Sequence, residues 1–488
     1  MRTINIKFEG NDIIAFENEN KLFIYDSSTG FISESNEIFN KILILADDNR
    51  AIPEIDRILS HDFVKYNYKS LKKEIYKFKQ MKDEGLILNK SRPSIINNKK
   101  FNLEEWEKSL VLENLQLNIS HSCNMQCKYC YANHGNFNNL PVLMSKEVAK
   151  QSIDFWFKYL DKTLKKVKVV FLGGEPLLNK EVLFFSLDYI YELVSRAGIK
   201  VGFSLTTNGT LLDEKTIRYF LKYKVQPDIS IDGGKSIQKK NRALVNGDDS
   251  FSIISNNIIK LKKHYNRLVA KVTLIHEDVQ NFATSVDELW ELGFTDVFYT
   301  CVLSEDVNLS IQETDLKLLS SQLAKIANMS YENIINHRNG ILINLIDIGY
   351  KVHNNITKNK CSLFNPFSIL VTPEGDIYKC SKLIGEKVFC TGNVFDGLNW
   401  DKFNEFEKKE HSETNCKYCV AKRICGSGCA YSNMLYTNDM NNPNKILCKE
   451  MKTQLIASLE LYTKLYCTNK NKFNRIYGKS LNTVSTIK

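Results

Sequence analysis

Alternating and helical spacing of hydrophobic positions predicts a small α+β unit over residues 1–88. Short alternating runs predict three strands, at residues 4–8, 13–16 and 22–25. Ser35 is the expected N-cap of a helix over residues 37–45, and a second helix follows Pro53. A third helix is the clearest, because apolar residues recur every three or four positions at Leu71, Ile75, Phe78 and Met81.

Strand and helix patterns alternate between residues 113 and 335. Six strands are expected, at residues 115–120, 166–172, 200–205, 229–232, 269–275 and 297–302. Alternation of this kind predicts a parallel sheet with crossover helices, and ligands bind such sheets beyond the carboxyl ends of the strands. Glycine-rich or polar motifs fall at those ends, among them Gly173-Gly174-Glu175-Pro176 and Thr207-Asn208.

Composition narrows the class of protein. The chain has 488 residues, which favours about three domains, and its 43% hydrophobic and 25% charged residues are ordinary globular values. Neither a secretory core at the start nor an apolar run long enough for a bilayer is present in the sequence, so we expect a cytoplasmic protein without a membrane partner. The net charge of +10 permits an acidic partner, and we expect no nucleic acid.

Three of the thirteen cysteines are closely spaced, at Cys123, Cys127 and Cys130. Thiolates are soft ligands for iron–sulfur clusters or zinc. A cubane cluster has four irons, so three cysteines leave one iron open for chemistry. The alternative is a structural zinc site that His121 or His134 completes.

A second group of seven cysteines follows near the C-terminus. In a chain without a secretory signal, so many cysteines favour metal sites over disulfides. The group is too large for one zinc ribbon, although two zinc sites remain an alternative. Its members are Cys361, Cys380, Cys416, Cys419, Cys425, Cys429 and Cys448.

The first cysteine motif, with Tyr129 inside it, resembles the radical S-adenosylmethionine (SAM) superfamily. The resemblance implies a partial (β/α)6 barrel and a [4Fe-4S] cluster whose fourth iron is chelated by SAM. An electron from that cluster would cleave SAM to a 5′-deoxyadenosyl radical, which takes hydrogen from the substrate. External reductants such as flavodoxin or ferredoxin would supply the electron.

The same resemblance implies a set of SAM-binding residues. The glycines would bring backbone close to the amino acid part of SAM, Glu175 would hold its ammonium, and Arg242 would pair with its carboxylate. The implied set is Tyr129, Gly173, Gly174, Glu175, Pro176, Thr207, Asn208, Ser230, Asp232 and Arg242.

The second cysteine group resembles the SPASM domain, which carries two auxiliary [4Fe-4S] clusters. Four cysteines would ligate the outer cluster: Cys416, Cys419, Cys425 and Cys448. Three would ligate the inner cluster: Cys361, Cys380 and Cys429. The sequence lacks the family's further cysteine before Cys361, so the inner cluster has an open iron or takes Cys390 as its fourth ligand. Cys301 and Cys467 are interpreted as ordinary core or surface thiols, with Cys301 a weak candidate for a hydrogen-atom donor.

The first 88 residues resemble a winged-helix-like unit that recognises leader peptides in peptide-modifying enzymes. There a leader adds as a strand to the sheet edge, beside the third helix. In this chain the third helix is rich in lysine, which suits an acidic leader. The alternatives are a solvated charged face without a ligand and, less favoured, a DNA-binding winged helix.

Together these interpretations predict the organisation of the chain and its activity. The expected divisions are a leader-recognition unit at 1–88, a linker at 89–112, a radical SAM barrel at 113–335, a bridge at 336–360, a SPASM domain at 361–467 and a flexible tail at 468–488. The expected protein modifies a ribosomal precursor peptide by joining a cysteine sulfur to a carbon atom.

Alternatives to this function remain open. Within the same class they are carbon–carbon cross-linking, epimerisation and a sulfatase-type formylglycine maturase. The last has an Asp where this chain has Ser381. Outside it, the chain would be an iron–sulfur electron carrier or a redox-responsive DNA binder. A SAM pocket would have no use in either of these.

Overall fold

The computed structural model describes most of the chain. The described residues are 2–4, 13–47, 50–62, 68–88, 110–137, 140–302, 304, 306–357, 361, 363, 367–405, 416 and 419–478. Several sequence predictions lie outside them: most of the first strand, nearly all of the linker at 89–112, and residues 479–488 of the tail.

An antiparallel sheet and three helices form the first unit. Its elements are β1 Arg2–Ile4, β2 Ile13–Asn18, β3 Lys21–Asp26, β4 Phe31–Ser35, α1 Glu37–Asp47, α2 Ile52–Asp62 and α3 Tyr68–Asp83. The strands lie in sequence order. The sequence pattern missed β4, because Ser33 and Ser35 interrupt its hydrophobic positions. Ser35 is not the cap of α1, since the side chain of Asn36 accepts a hydrogen bond from the N–H of Phe39 at 2.9 Å.

The barrel follows the predicted alternation. Its first half contains β5 Asn114–His121, β6 Met125–Cys127, β7 Val142–Leu143, α4 Lys146–Lys158, β8 Lys166–Gly173, α5 Lys180–Arg196, β9 Lys200–Thr207, α6 Glu214–Tyr223 and β10 Gln226–Ser230. Its second half contains α7 Lys235–Asn241, β11 Arg242–Leu244, α8 Ser250–Lys262, β12 Val269–Leu274, α9 Phe282–Leu292, β13 Asp296–Cys301, α10 Asp315–Ile335, β14 Ile341–Leu342 and α11 Ile343–His353.

All six expected strands are present, and they pair in parallel. The order β13-β12-β10-β9-β8-β5 brings all their carboxyl ends to one edge of the sheet. Alternate strand residues such as Val169 and Phe171 are buried beneath the helices and form the main core. The other strand face lines the lumen of the partial barrel, as Val170 and Ser204 do in their shared register.

The C-terminal part continues the barrel sheet. Its elements are β15 Ser368–Val371, β16 Asp376–Tyr378, β17 Gly392–Asn393, β18 Gly397–Leu398, α12 Trp400–Glu405, α13 Lys422–Cys425, α14 Ala430–Thr437, α15 Lys445–Thr468 and α16 Lys470–Tyr477. The strand β15 pairs in parallel with β5, which the sequence pattern did not predict. The long helix α15 packs against α10 and α11.

The prediction of a tail that frays from residue 468 is wrong for its first half. Residues Lys470–Tyr477 form α16, and Asn469 caps this helix by accepting a hydrogen bond from the N–H of Lys472. Phe473 and Tyr477 are buried against Tyr462, with ring centroids 4.8 and 5.0 Å away. An apolar face of one helical turn was hidden in a polar and basic sequence.

The first unit packs directly on the C-terminal part. Phe16, Phe23 and Tyr25 form one buried cluster with residues of α11 and α15, including Leu455 and Leu459. Within the described part of the chain, no helix is both long enough and apolar enough to span a membrane.

Candidate functional site

The cysteine loop is held by a short two-stranded ribbon. β6 follows Cys123 and pairs antiparallel with β11, so that Cys127 lies opposite Arg242. Backbone hydrogen bonds extend the ribbon, from Lys128 N to Asn241 O at 3.0 Å and from Val245 N to Asn124 O at 3.1 Å. Two motifs more than 100 residues apart in sequence therefore meet over the carboxyl ends of the strands.

The glycines after β8 let its turn touch the cysteine loop. A Cβ atom at position 174 would lie 2.3 Å from Ser122 O, and one at position 173 would lie 2.6 Å from Ser120 O. The N–H of Gly174 donates to Ser120 O at 2.7 Å. Close approach of two backbones thus requires these glycines before any ligand is considered.

Glu175 is completely buried and already has three hydrogen-bond donors. Oε1 accepts from Leu177 N at 3.0 Å and from the Thr207 hydroxyl at 2.7 Å, and Oε2 accepts from Asn208 N at 2.7 Å. Burial raises the pKa of Glu175, although these donors and Arg242 oppose the shift. A carboxylate has about four acceptor positions, so one remains for a ligand ammonium.

Buried Arg242 and Asp232 form a hydrogen-bonded triad with the half-buried Tyr129. Arg242 Nη1 donates to Tyr129 Oη at 2.7 Å, and Tyr129 in turn donates to Asp232. Arg242 Nη1 lies 3.9 Å from Asp232 Oδ1, which also accepts from Thr273 N at 3.0 Å. Burial raises the pKa of Asp232, and the Arg242 guanidinium opposes that shift.

Arg242 also has a buried donor without a partner. Its Nε makes no hydrogen bond within the described structure, although the side chain is only 9% exposed. An unsatisfied guanidinium N–H is costly unless a ligand accepts from it. A carboxylate suits it, because the guanidinium fork pairs bidentately. The site therefore fits the carboxylate of SAM.

Asn208 connects the turn after β9 to the cysteine loop. Its Nδ2 donates to Asn124 Oδ1 at 2.8 Å and lies 4.0 Å from Cys123 Sγ. Asn124 donates to the Thr210 hydroxyl at 2.9 Å. Sequence reasoning did not assign roles to Asn124 or Thr210. Their adjacency to Cys123 and to the Thr207-Asn208 turn was the available signal.

Three further residues were predicted to bind SAM, Thr207, Ser230 and Pro176, and each lies in a different environment. The Thr207 hydroxyl bonds Glu175, so Thr207 positions that carboxylate. Ser230 ends β10 and shares its register with Lys271, which places it on the lumen side. Pro176 begins the short 3-10 helix Pro176–Asn179 and is buried.

Cys301 lies away from the barrel lumen. Its Sγ is 3.9 Å from Glu450 Oε1 on α15, and the hydroxyl of Tyr299 donates to the same oxygen at 2.8 Å. Phe298 and Thr300 alternate with Tyr299 and Cys301 along β13, so they are the residues that face the lumen. This placement argues against Cys301 as a hydrogen-atom donor to a substrate in the lumen.

The later cysteines lie in two groups. Four line one small cavity: Cys416, Cys419, Cys425 and Cys448. The other three lie near one another, since Cys361 and Cys429 both act electrostatically on Cys380. Burial is the main cause that raises the pKa of Cys380, to about 11. Cys390 instead donates to Gly392 O at 3.2 Å, and it packs against the same buried cluster as Cys130 does.

A hydrogen bond joins the first cysteine loop to the inner group. Tyr131 follows Cys130, Ser381 follows Cys380, and the Tyr131 hydroxyl donates to the Ser381 oxygen at 3.4 Å. Lys382 lies over the Tyr131 ring at 6.0 Å.

The first three cysteines fit an iron–sulfur cluster by their chemistry. Cys127 and Cys130 act electrostatically on Cys123, and burial raises the pKa of Cys123 to about 12. Thiols with a raised pKa lose their protons and act as ligands only when a bound cation compensates the negative charge of the thiolates. Among the described residues, no three His, Cys, Asp or Glu side chains surround a position for a single metal ion. His121 Nδ1 lies 3.3 Å from Glu374 Oε1.

Comparisons with known proteins agree with this geometry. Residues 117–289 match the family model described as the Radical SAM superfamily. Over these residues the chain has a radical SAM domain, a fold that binds SAM and a 4Fe-4S cluster.

Relatives of the chain include two named enzymes. The radical SAM cyclopropyl synthase TigE of Paramaledivibacter caminithermalis is 26% identical over 353 residues, which cover 66% of this chain and 70% of that protein. The cysteine-type anaerobic sulfatase-maturating enzyme of Clostridium perfringens is 25% identical over 393 residues, which cover 76% of this chain and 97% of that protein.

A solved structure shares the fold. Native anSMEcpe with bound AdoMet aligns with a TM-score of 0.61 at 20% identity, covering 74% of this chain and 99% of that chain. The same protein with AdoMet and the Cp18Cys peptide aligns with a TM-score of 0.59.

Proposed function

We propose that this protein is a radical SAM peptide maturase with a SPASM domain, which binds the leader of a ribosomal precursor peptide and installs a thioether. The observation that carries the proposal is the grouping of the seven later cysteines. They form one set of four and one set of three, and the set of three is joined to the SAM-cluster loop through Tyr131 and Ser381.

The residues around the first cysteine loop would bind and orient SAM. When bound, the cluster supplies the electron that cleaves SAM to a 5′-deoxyadenosyl radical. Arg242 would pair with the SAM carboxylate and the free acceptor position of Glu175 would take the ammonium. Tyr129 and Asp232 hold the guanidinium in place, so that the reacting atoms keep one geometry.

The incomplete inner set favours thioether formation. Cys361, Cys380 and Cys429 would leave one iron of an inner cluster open to a substrate thiolate. Joining a cysteine sulfur to a carbon removes one S–H and one C–H hydrogen. Reductive cleavage of SAM takes up one electron, and the resulting radical takes the C–H hydrogen atom. The thiol proton would go to solvent, and the remaining electron would pass to the auxiliary clusters.

The edge of β4, beside α3, would receive the leader. β4 is an edge strand of the first sheet, and Lys77 Nζ on α3 donates to its Glu34 carbonyl at 3.0 Å. A peptide that adds to β4 would lie along α3. That helix exposes Tyr68 and Tyr76, which are 64% and 71% accessible, together with several lysines.

Relatives support peptide or protein modification and favour a second candidate. The cyclopropyl synthase TigE forms carbon–carbon bonds by its name, so a carbon–carbon cross-link is the alternative reaction. The solved anSMEcpe structure holds a peptide together with AdoMet. Against the sulfatase-maturing alternative, Ser381 stands where that group has an Asp, and its oxygen accepts from Tyr131.

Anaerobically reconstituted protein tests the proposal. Iron, sulfide and 5′-deoxyadenosine would be measured for the wild type, for the Cys123→Ala/Cys127→Ala/Cys130→Ala variant and for Cys467→Ala as the control. We expect about twelve irons, with a loss of about four and of SAM cleavage only in the triple variant. Zinc in place of iron, or cleavage by the triple variant, would refute the proposal.

The reaction itself is tested with candidate precursor peptides, taken from small open reading frames that neighbour the gene. A thioether removes two hydrogen atoms and protects one peptide cysteine from alkylation. A product that loses two hydrogens but keeps every cysteine alkylatable would identify carbon–carbon cross-linking instead.

A further inference from the structure

A basic cavity opens at the end of the barrel opposite the SAM site. Its volume is about 480 Å³, and it lies among the amino-terminal halves of β8, β9, β10, β12 and β13. Cavities of about 300–1,000 Å³ are typical of small-ligand sites.

Four cations and one anion line this lower cavity. The cations are Lys166, Lys168, Arg267 and Lys271, and the anion is Asp228. Lys271 Nζ is 2.9 Å from Asp228 Oδ2, and Arg267 pairs with Asp296 at 3.2 Å. Within the described part of the chain, Lys166 and Lys168 have no acidic partner, and both are exposed. The lining therefore carries uncompensated positive charge.

The two unpaired lysines point into the same space. They alternate with the buried residues Val167 and Val169 on β8, so both lie on the lumen face, about 7 Å apart along the strand. Lys168 lies opposite Gly202 of β9, and the Lys166 side chain reaches the same glycine, where a Cβ atom would be 3.5 Å from Lys166 Cε. Two like charges held together on one face are unfavourable without a counter-ion.

Other lining residues complete a binding surface. Ser204 and Gln226 supply polar groups beside the lysines, and Val269, Phe298 and Ile343 supply an apolar wall. A few polar groups against an apolar wall are typical of sites for small organic ligands.

We propose that the lower cavity binds an anion with two or more carboxylate or phosphate groups, held by Lys166 and Lys168. Gly174 follows Lys168 by six positions, about 20 Å at the usual rise per residue of a strand. The site is therefore distinct from the SAM site, and it does not depend on the proposed function. The anion has two possible sources: a small metabolite, or an acidic stretch of a peptide that reaches the lumen from below.

Binding is measured on the full-length protein by calorimetry, without SAM or precursor peptide. Citrate and pyrophosphate probe the metabolite source, and an acetylated hexaglutamate peptide probes the peptide source, all at one ionic strength. We expect at least one probe to bind the wild type, and the Lys166→Met/Lys168→Met variant to bind it about tenfold or more weakly. The probe that binds tighter identifies the source.

Two further variants separate a built site from general surface attraction. Lys317→Met/Lys325→Met removes the same charge from exposed positions of α10 and should bind the probe as the wild type does. Gly202→Leu keeps every charge but fills the cavity, and it should abolish binding. No binding by the wild type, or equal weakening in both lysine pairs, would overturn the proposal. Thermal unfolding without probe confirms that each variant is folded.

Discussion

Arg242 shows how one residue acquires several tasks. Its backbone pairs with Cys127, its Nη1 bonds Tyr129, and its buried Nε has no partner in the described structure. The resemblance predicted a carboxylate-binding arginine from order along the chain. The hydrogen-bonded triad with Tyr129 and Asp232 was not predicted. Tyr129 lies more than 100 positions before the other two residues, and only folding brings all three together.

Replacement of Arg242 by lysine should weaken SAM binding by about tenfold or more, because an ammonium cannot form the bidentate pair with a carboxylate. Tyr129→Phe is the matched comparison and should cost less, since it removes only the hydroxyl that holds the guanidinium. Equilibrium dialysis of SAM with the reconstituted enzyme measures both. Wild-type affinity in Arg242→Lys, at unchanged iron content, would contradict the assigned role.

At the scale of elements, the sequence pattern missed two elements because their apolar faces are short. Strand β4 has only five residues, and the buried face of helix α16 spans about one turn. Both are too brief for periodicity to stand out from a polar surrounding. The aromatic cluster of Phe473, Tyr462 and Tyr477 shows that α16 belongs to the folded body.

Truncation of the Phe473 ring should lower the free energy of unfolding by about 3–5 kcal/mol, because Phe473→Ala empties a fully packed position. Asn471→Ala, on the exposed side of the same helix, should change it by less than about 0.5 kcal/mol. Urea unfolding followed by circular dichroism compares the two. Equal, small effects would mean that the helix does not pack in solution.

At the scale of the whole molecule, the first unit is integrated with the C-terminal part. Phe16 and Phe23 stack with centroids 5.7 Å apart, and Phe23 meets the edge of Tyr466 on α15 at 6.5 Å. Cys419 and Cys425 of the outer group pack against the same cluster. Arg423, beside Cys425, donates to Ser28 O at 3.3 Å. The proposed leader-binding unit and the outer cysteines thus share one core.

This shared core predicts that both parts unfold together. Phe23→Ala should destabilise the chain by about 3–5 kcal/mol and keep a single unfolding transition. Tyr76→Ala, at a side chain that is 71% exposed, serves as the control and should have little effect. Two separate transitions in the wild type, with only one of them shifted by Phe23→Ala, would show that the parts are independent.

The sequence by itself determined the local elements and the chemistry they carry. Strand alternation defined the six barrel strands, and ligand-type residues at fixed spacing defined the cysteine loops and the turns after β8 and β9. These signals are local, since each depends on residues close together along the chain. How many of the cysteines ligate clusters, and which reaction follows, stay predictions.

Only the tertiary structure decided which groups meet. Gly174 is glycine because Ser122 approaches it, Thr207 serves Glu175, and Cys301 faces α15 instead of the lumen. The lower cavity likewise exists only because five strands bring their amino-terminal halves around one space. Such contacts join residues that are distant in sequence, and their formation depends on the packing of the entire sheet and its helices, which no local pattern encodes.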